Sequence, residues 1–163
     1  MFPKLPLDVF IESIVDWLSD HMSGFFELLS SVITGLVDAF SWALHIAPFY
    51  VVIVLLAAIG FKLGRWPLAL FSAIGLLLIV NLGFWDETMD TLALVLSSAF
   101  ISIVFGIPLG ILCSRSKAAA QTITPVLDFM QTMPAFVYLI PAVMFFGLGV
   151  VPGVIASVIF AVP

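Results

Sequence analysis

From Phe129 to Pro163 the chain runs for 35 residues without one charged side chain. Three more stretches, 43–61, 66–84 and 91–113, are also free of charge. A soluble fold cannot hide so many long apolar windows, whereas a helix of about 20 apolar residues crosses a hydrocarbon core of about 30 Å. Composition agrees: 63% of residues are apolar and 9% charged, against about 25% charged in an ordinary soluble domain. Ten acidic and five basic side chains leave a net charge of −5. That sign excludes a nucleic-acid binder, which needs a basic face. A single cysteine, Cys113, excludes an intrachain disulfide and a cysteine-built zinc site. The expectation is an all-α, polytopic transmembrane helical bundle embedded in the lipid bilayer.

The 35-residue window is too long for one crossing. GLGVVPG at 147–153 holds three glycines and a proline, so it is expected as a turn between a fourth span at 127–148 and a fifth from Val150. From Val150 to Pro163 there are 14 residues, about 21 Å of helix at about 1.5 Å each, which falls short of the hydrocarbon core. The chain also ends without the polar flank that closes most membrane helices. It is expected to have about five spans, the last one truncated, and to be part of a longer protein.

Charge gives a topology, because basic residues concentrate in cytoplasmic connections. Residues 1–42 carry −5, the connection with Lys62 and Arg65 carries +2, WDETMD at 85–90 carries −3, and Arg115 with Lys117 gives +2. The alternation puts the N-terminus and the 85–90 loop outside, with KLGR (62–65) and SRSK (114–117) in the cytoplasm. Trp66, Phe84 and Trp85 fall at the expected interfaces, where amphipathic rings settle.

Residues 1–42 form a segment apart. Asp8, Glu12, Asp16, Ser19, Ser23, Glu27, Ser30, Thr34, Asp38 and Ser41 recur at a mean spacing of 3.67 residues, one polar stripe on an otherwise apolar helix. A helix of that length, about 50 Å of it before Ser41, suits the membrane plane better than a perpendicular crossing. A break is expected at Gly24 or Gly35. The acidic stripe is either a solvated face or a docking face for protein.

Motifs for soluble chemistry are missing. There is no G-x-x-x-x-G-K-[ST] loop and no G-x-S-x-G elbow. GLGVVPG lacks the preceding strand and nearby lysine of a phosphate loop. His21 and His45 stand 24 residues apart without a carboxylate or cysteine at ligand spacing. No catalytic residue, metal site or cofactor is expected. Gly60 with Gly64, and Gly106 with Gly110, are small-x-x-x-small pairs that let helices approach closely. Ser97, Ser98 and Ser102, on the same span as the second pair, are expected to serve packing too, and Asn81 to bond another helix rather than a solute.

The segment 114–146 is more informative. Thr124–Pro125 has the form of a helix cap and first residue, with Asp128 in the first turn where the helix dipole favours an anion. Pro134 and Pro141 follow seven residues apart, nearly on one face. Each removes a backbone donor and frees the carbonyl four residues earlier, at Met130 and Val137. In hydrocarbon such a carbonyl must find another partner or a water-lined path. With Gln131, Thr132 and Tyr138 beside them, Pro134 and Pro141 mark either a bent helix along a translocation path or a kink used for packing.

TLALVLSSAFISIVFGIPLGIL (91–112) and TPVLDFMQTMPAFVYLIPAVMFFGLGVVPGVIASVIFAVP (124–163) together resemble the permease subunits of glycine betaine/proline-type ABC importers. These quaternary ammonium permeases are inner-membrane components of binding-protein-dependent transport. The resemblance is most specific at DFMQTMPAFVYLIP (128–141). It implies a multi-pass protein of the bacterial cell membrane that takes up compatible solutes. It also implies three partners: cytoplasmic ABC ATPase subunits, an extracytoplasmic solute-binding protein, and a second permease copy completing a homodimer. Residues 91–163 would be the N-terminal part of the permease core, after a two-span scaffold at 43–84 and the interfacial segment at 1–42. The E-A-A-type loop that couples such permeases to ATP hydrolysis would lie beyond Pro163. The resemblance implies no aromatic cage in this subunit, the quaternary ammonium being held by the binding protein. Two other readings compete: a truncated membrane scaffold or anchor that transports nothing, and a secondary transporter. The second is disfavoured because no acid or base sits in mid-span.

Overall fold

The computed structural model describes residues 7–163, with only the backbone for 7–12 and 14. Lys4 and the side chains of Asp8 and Glu12, part of the charge pattern above, lie outside the described residues. Among the described residues there are six helices and no strand: α1 (Leu7–Ile46), α2 (Phe49–Asn81), α3 (Trp85–Arg115), α4 (Lys117–Thr132), α5 (Ala135–Phe146) and α6 (Val150–Ala161). The all-α expectation holds. Val15–Ile46, Phe49–Asn81 and Trp85–Arg115 are each long and apolar enough to cross a membrane. The chain is a multi-pass membrane protein. It forms two compact units, one from Val37–Leu96, the other from Ser97–Pro163 with the residues up to Leu36.

In the Val37–Leu96 unit, α2 departs from helical geometry at Gly64 (φ −128°, ψ 15°) and Arg65 (φ 61°, ψ −158°). A methyl group added at Gly60 would lie 3.4 Å from the backbone of Ala69. Residues nine apart touch only if the two arms fold back on each other, so α2 is a helical hairpin. Its turn falls inside the expected KLGR connection, and Gly60 supplies the close approach expected of it. Arg65 takes a left-handed φ that a side chain tolerates poorly, a sign of how tight this turn is. The first arm begins at Phe49 rather than at 43. Pro48, at φ −56° and ψ 144°, caps it, and a residue before proline is pushed out of the helical region, so α1 stops at Ile46.

The WDETMD segment at 85–90 is the start of α3 rather than a loop. Asp86 and Glu87 fill its first turn, where unpaired N–H groups and the helix dipole favour carboxylates. The turn lies just before it, at Leu82–Phe84, made possible by Gly83 at φ 77°. The end of α1 meets this turn in the same unit: Ser41 Oγ donates to Asp90 Oδ1 over 2.8 Å, and His45 Nε2 lies 3.8 Å from Asp86 Oδ1. Phe49 meets Trp85 edge-on, their ring centres 6.2 Å apart. Met89 and Ala93 are buried on the next turns of α3.

In the other unit, α5 and α6 pack together with α4 against α6, burying Ala142, Val151, Pro152, Val154 and Ala156. The turn between them is shorter than expected. Gly147 (φ 73°) and Gly149 (φ 156°) make it, and Val150–Gly153 is already helix. Pro152 fits there because the N–H groups of a first turn have no helical partner to lose. On α3, a methyl at Gly106 would sit 3.3 Å from the Val162 carbonyl, while nothing lies within 4 Å of one at Gly110. Only the first glycine of that pair makes a close approach. Ser97, Ser98 and Ser102 are buried on α3, and Ser102 Oγ donates to the Ser98 carbonyl over 2.7 Å.

The break in α1 falls at Met22 (φ −116°, ψ 15°), not at Gly24 or Gly35, whose lack of a side chain permits a kink without requiring one. Asp16, Asp20, Glu27 and Asp38 are exposed on this helix, as are the apolar Trp17, Phe25, Leu28 and Val32, while Ile33 and Val37 are buried.

Candidate functional site

The segment 127–148 is not one straight helix but two apolar helices broken at Met133–Pro134. Lys117–Thr132 and Ala135–Phe146 meet at an angle of 96°. Its N-terminal boundary also differs from the sequence expectation. Ser116 (φ −131°, ψ 114°) caps α4, its side chain accepting from the Ala119 N–H over 3.3 Å, and Pro125 lies in the helix interior. Lys117, the three alanines and Gln121 are strong helix formers. They carry the helix upstream past Thr124, at the expense of the hydrogen bond that Pro125 cannot make.

At its other end α4 stops where Met133 becomes extended (φ −87°, ψ 139°) before Pro134. A helix end leaves its last four carbonyls unpaired, and in a membrane each needs a partner. Two are met by side chains. Thr132 Oγ1 donates to the Phe129 carbonyl over 2.9 Å. Tyr138 Oη reaches back around the bend to donate to the Met130 carbonyl over 3.0 Å. Pro134, at φ −58° and ψ 139°, caps α5. The elbow thus brings together Thr132, Pro134 and Tyr138 of the five path candidates. Gln131 is exposed on the last turn of α4. Pro141 is exposed in the interior of α5, where it leaves the Val137 carbonyl without its helical donor.

A second polar feature of this unit was not foreseen. Phe26 of α1 stacks on Phe145 of α5 with ring centres 4.9 Å apart and planes 18° from parallel. It meets Phe146 edge-on at 5.4 Å and 85°. These rings, with Ser19, Ser23, Glu27 and Ser30, line an open cleft of about 230 Å³. The polar stripe of α1 is therefore in part a face turned toward protein. Its spacing was the only sequence signal, since Phe145 and Phe146 are unremarkable inside an apolar run.

The histidines also have local partners. His21 Nδ1 lies 3.0 Å from the Trp17 carbonyl, and the ring stacks on Trp17 with centres 4.6 Å apart. His45 Nδ1 lies 2.8 Å from the Ser41 carbonyl. Among the described residues, no three His, Cys, Asp or Glu side chains are grouped to hold a metal ion.

No family model matches the chain. It is 50% identical to the glycine betaine/carnitine transport permease protein of Listeria monocytogenes, over 99% of this chain and 58% of that protein. The chain is a homologue of glycine betaine transport permeases. A permease protein of the Bacillus subtilis glycine betaine transport system is 46% identical over 99% of the chain and 57% of its own length. The glycine betaine/proline betaine transport permease protein of Escherichia coli is 40% identical over 98% and 45%. The chain thus spans about half the length of the curated relatives it matches. The elbow and the Phe26 cleft lie within a stretch that these alignments cover almost end to end.

Proposed function

We propose that this chain is part of the membrane permease of an ABC importer that takes up a compatible solute of the glycine betaine or proline betaine kind. The observation that carries the reading is 50% identity extending over 99% of the chain. Similarity of that extent takes in the α2 hairpin, the elbow and the α5–α6 hairpin together. In this reading ATP is hydrolysed by cytoplasmic ABC ATPase subunits, an extracytoplasmic binding protein delivers the solute, and two permease copies enclose the path. The protein resides in the bacterial cell membrane with its N-terminus outside and residues 1–42 along the membrane surface. Residues 43–84 are the scaffold and 91–163 belong to the permease core.

Gln131, Thr132, Pro134, Tyr138 and Pro141 are assigned to the translocation path. The proline-broken elbow supports this, because non-helical backbone at membrane depth is tolerated where it is buried in protein or borders a water-lined cavity. The test is uptake of labelled glycine betaine, at high osmolarity, by cells lacking their own betaine importers and supplied with the full-length permease, its ATPase and its binding protein. Uptake that requires all three supports the reading. Stable insertion without uptake of any quaternary ammonium solute refutes it. For the path, Pro141→Ala is expected to lower uptake while the amount of inserted permease stays constant, since alanine restores a backbone donor and a straighter α5. Unchanged uptake returns Pro141 to packing alone.

A further inference from the structure

The open cleft at the Phe26 end of α5 has a composition that packing does not explain. The Phe146 ring meets Phe26 there at 85°, and Phe145 stacks on Phe26. The remaining wall is polar, with the Glu27 carboxylate and the hydroxyls of Ser19 and Ser23. Glu27 is exposed and lines the same cleft as the rings, so its negative charge belongs to the cleft wall. Aromatic faces attract a cation lying within about 6 Å of the ring centre, most strongly one that is poorly hydrated. A carboxylate beside them adds to that attraction. Serine hydroxyls, by contrast, donate to anionic oxygen. A cleft of about 230 Å³ is below the range of about 300–1,000 Å³ usual for drug-sized ligands. It suits a small solute.

We infer that this cleft is a binding subsite for a small quaternary ammonium zwitterion, with the trimethylammonium group against the Phe26, Phe145 and Phe146 corner and Glu27, and the solute carboxylate at the serine hydroxyls. The inference rests on the transport reading for the identity of the solute and adds a contact in the permease itself. Its α1 wall is remote in sequence from the elbow, while Phe145 and Phe146 close the far end of α5. A solute released near this corner would be held by weak, sequence-distant groups on α1 and α5, which suits transfer rather than storage.

The test uses the full-length permease assembled with its ATPase, without the binding protein, in vesicles of phosphatidylethanolamine and phosphatidylglycerol. The single native cysteine is removed as Cys113→Ser, and Ser30→Cys, which lines the same cleft and leaves Ser19 and Ser23 in place, reports on it through its rate of thiol labelling. Glycine betaine is expected to slow that labelling, whereas 3,3-dimethylbutyrate, the same shape without the positive charge, leaves it unchanged. Glu27→Gln, an exposed substitution that should not disturb folding, is expected to raise the half-protecting betaine concentration by about fivefold. No protection at concentrations above those of transport, or equal protection by the analogue that lacks the cation, overturns the inference. Protection by phosphatidylcholine in the vesicles with none by free betaine also overturns it, assigning the corner to a lipid headgroup. Uptake by the unsubstituted complex with its binding protein is measured separately. A failure there sinks the transport reading, while the labelling result alone decides the cleft.

Discussion

Replacing Tyr138 by Phe removes one oxygen and leaves the ring in place, so it tests the elbow directly. That oxygen donates to the Met130 carbonyl over 3.0 Å, and Pro134, which has no N–H, cannot supply the donor a continuing helix would offer. A typical intramolecular hydrogen bond contributes about 0.5–1.5 kcal/mol net, and a buried acceptor left alone costs about 1–3 kcal/mol. The Tyr138 side chain is half-buried, and side-chain bonds between membrane helices average about 0.6 kcal/mol. The expected loss is therefore about 1 kcal/mol, read as a shift in the unfolding midpoint of the purified permease in mixed micelles titrated with dodecyl sulfate. A double-mutant cycle makes the argument sharper. Pro134→Ala gives the backbone an N–H that can extend the α4 ladder to Met130, so in that background Tyr138→Phe should cost close to nothing. The coupling between the two sites should then equal nearly the whole of the single-mutant effect. An equal cost in both backgrounds would show that Met130 is not the partner that matters. A stable Tyr138→Phe permease that no longer transports would instead place the hydroxyl on the solute.

Three further outcomes are expected. In a Cys113→Ser background, a cysteine replacing Glu87 should react with an impermeant thiol reagent from outside and one replacing Ser114 only after permeabilisation; the reverse pattern overturns the charge-derived topology. Oriented spectroscopy in bilayers should find the axis of α1 near the membrane plane, where its exposed carboxylates avoid the about 2.5–3.5 kcal/mol that a central aspartate costs a crossing helix. Because Val15–Ile46 is also long and apolar enough to cross, an axis along the normal would refute the in-plane placement and add a span. Gly106→Leu should destabilise the protein by about 1–3 kcal/mol through overpacking, given the 3.3 Å approach of the Val162 carbonyl, while Gly110→Leu should be close to neutral because nothing lies within 4 Å; equal effects in the same unfolding assay would sink that distinction.

The parts of the fold that could be read in the sequence are those in which one local rule acts alone. Charge-free windows located the apolar helices because a helix satisfies its own backbone in hydrocarbon, and the KLGR connection fell where two basic residues and a glycine interrupt them. Boundaries were missed where two valid rules compete. Ser116 and Thr124 are both good caps, and the choice fell to the helix-forming run between them, with Pro125 carried along inside α4. WDETMD has a loop's polarity and a helix's first turn, and Gly83 at φ 77° decides for the helix by making the turn one step earlier.

The site divides along a similar line. That Pro134 would free the Met130 carbonyl follows from covalent chemistry, and that hydrocarbon would demand a donor follows from solvation. Which donor answers depends on geometry that no spacing rule encodes. Tyr138 lies eight residues from Met130, out of reach along a straight helix at about 1.5 Å per residue, and the 96° bend between α4 and α5 brings it back. The proline that breaks the helix thus also creates the angle at which the tyrosine can satisfy the broken end. The Phe26 cleft had no such local cause. Its two walls are more than a hundred residues apart in the chain, and neither needs the other to satisfy a backbone group. A carboxylate and three hydroxyls beside three rings can be lost from α1 without unfolding it. That makes the cleft the place where substitution should change binding before it changes the fold.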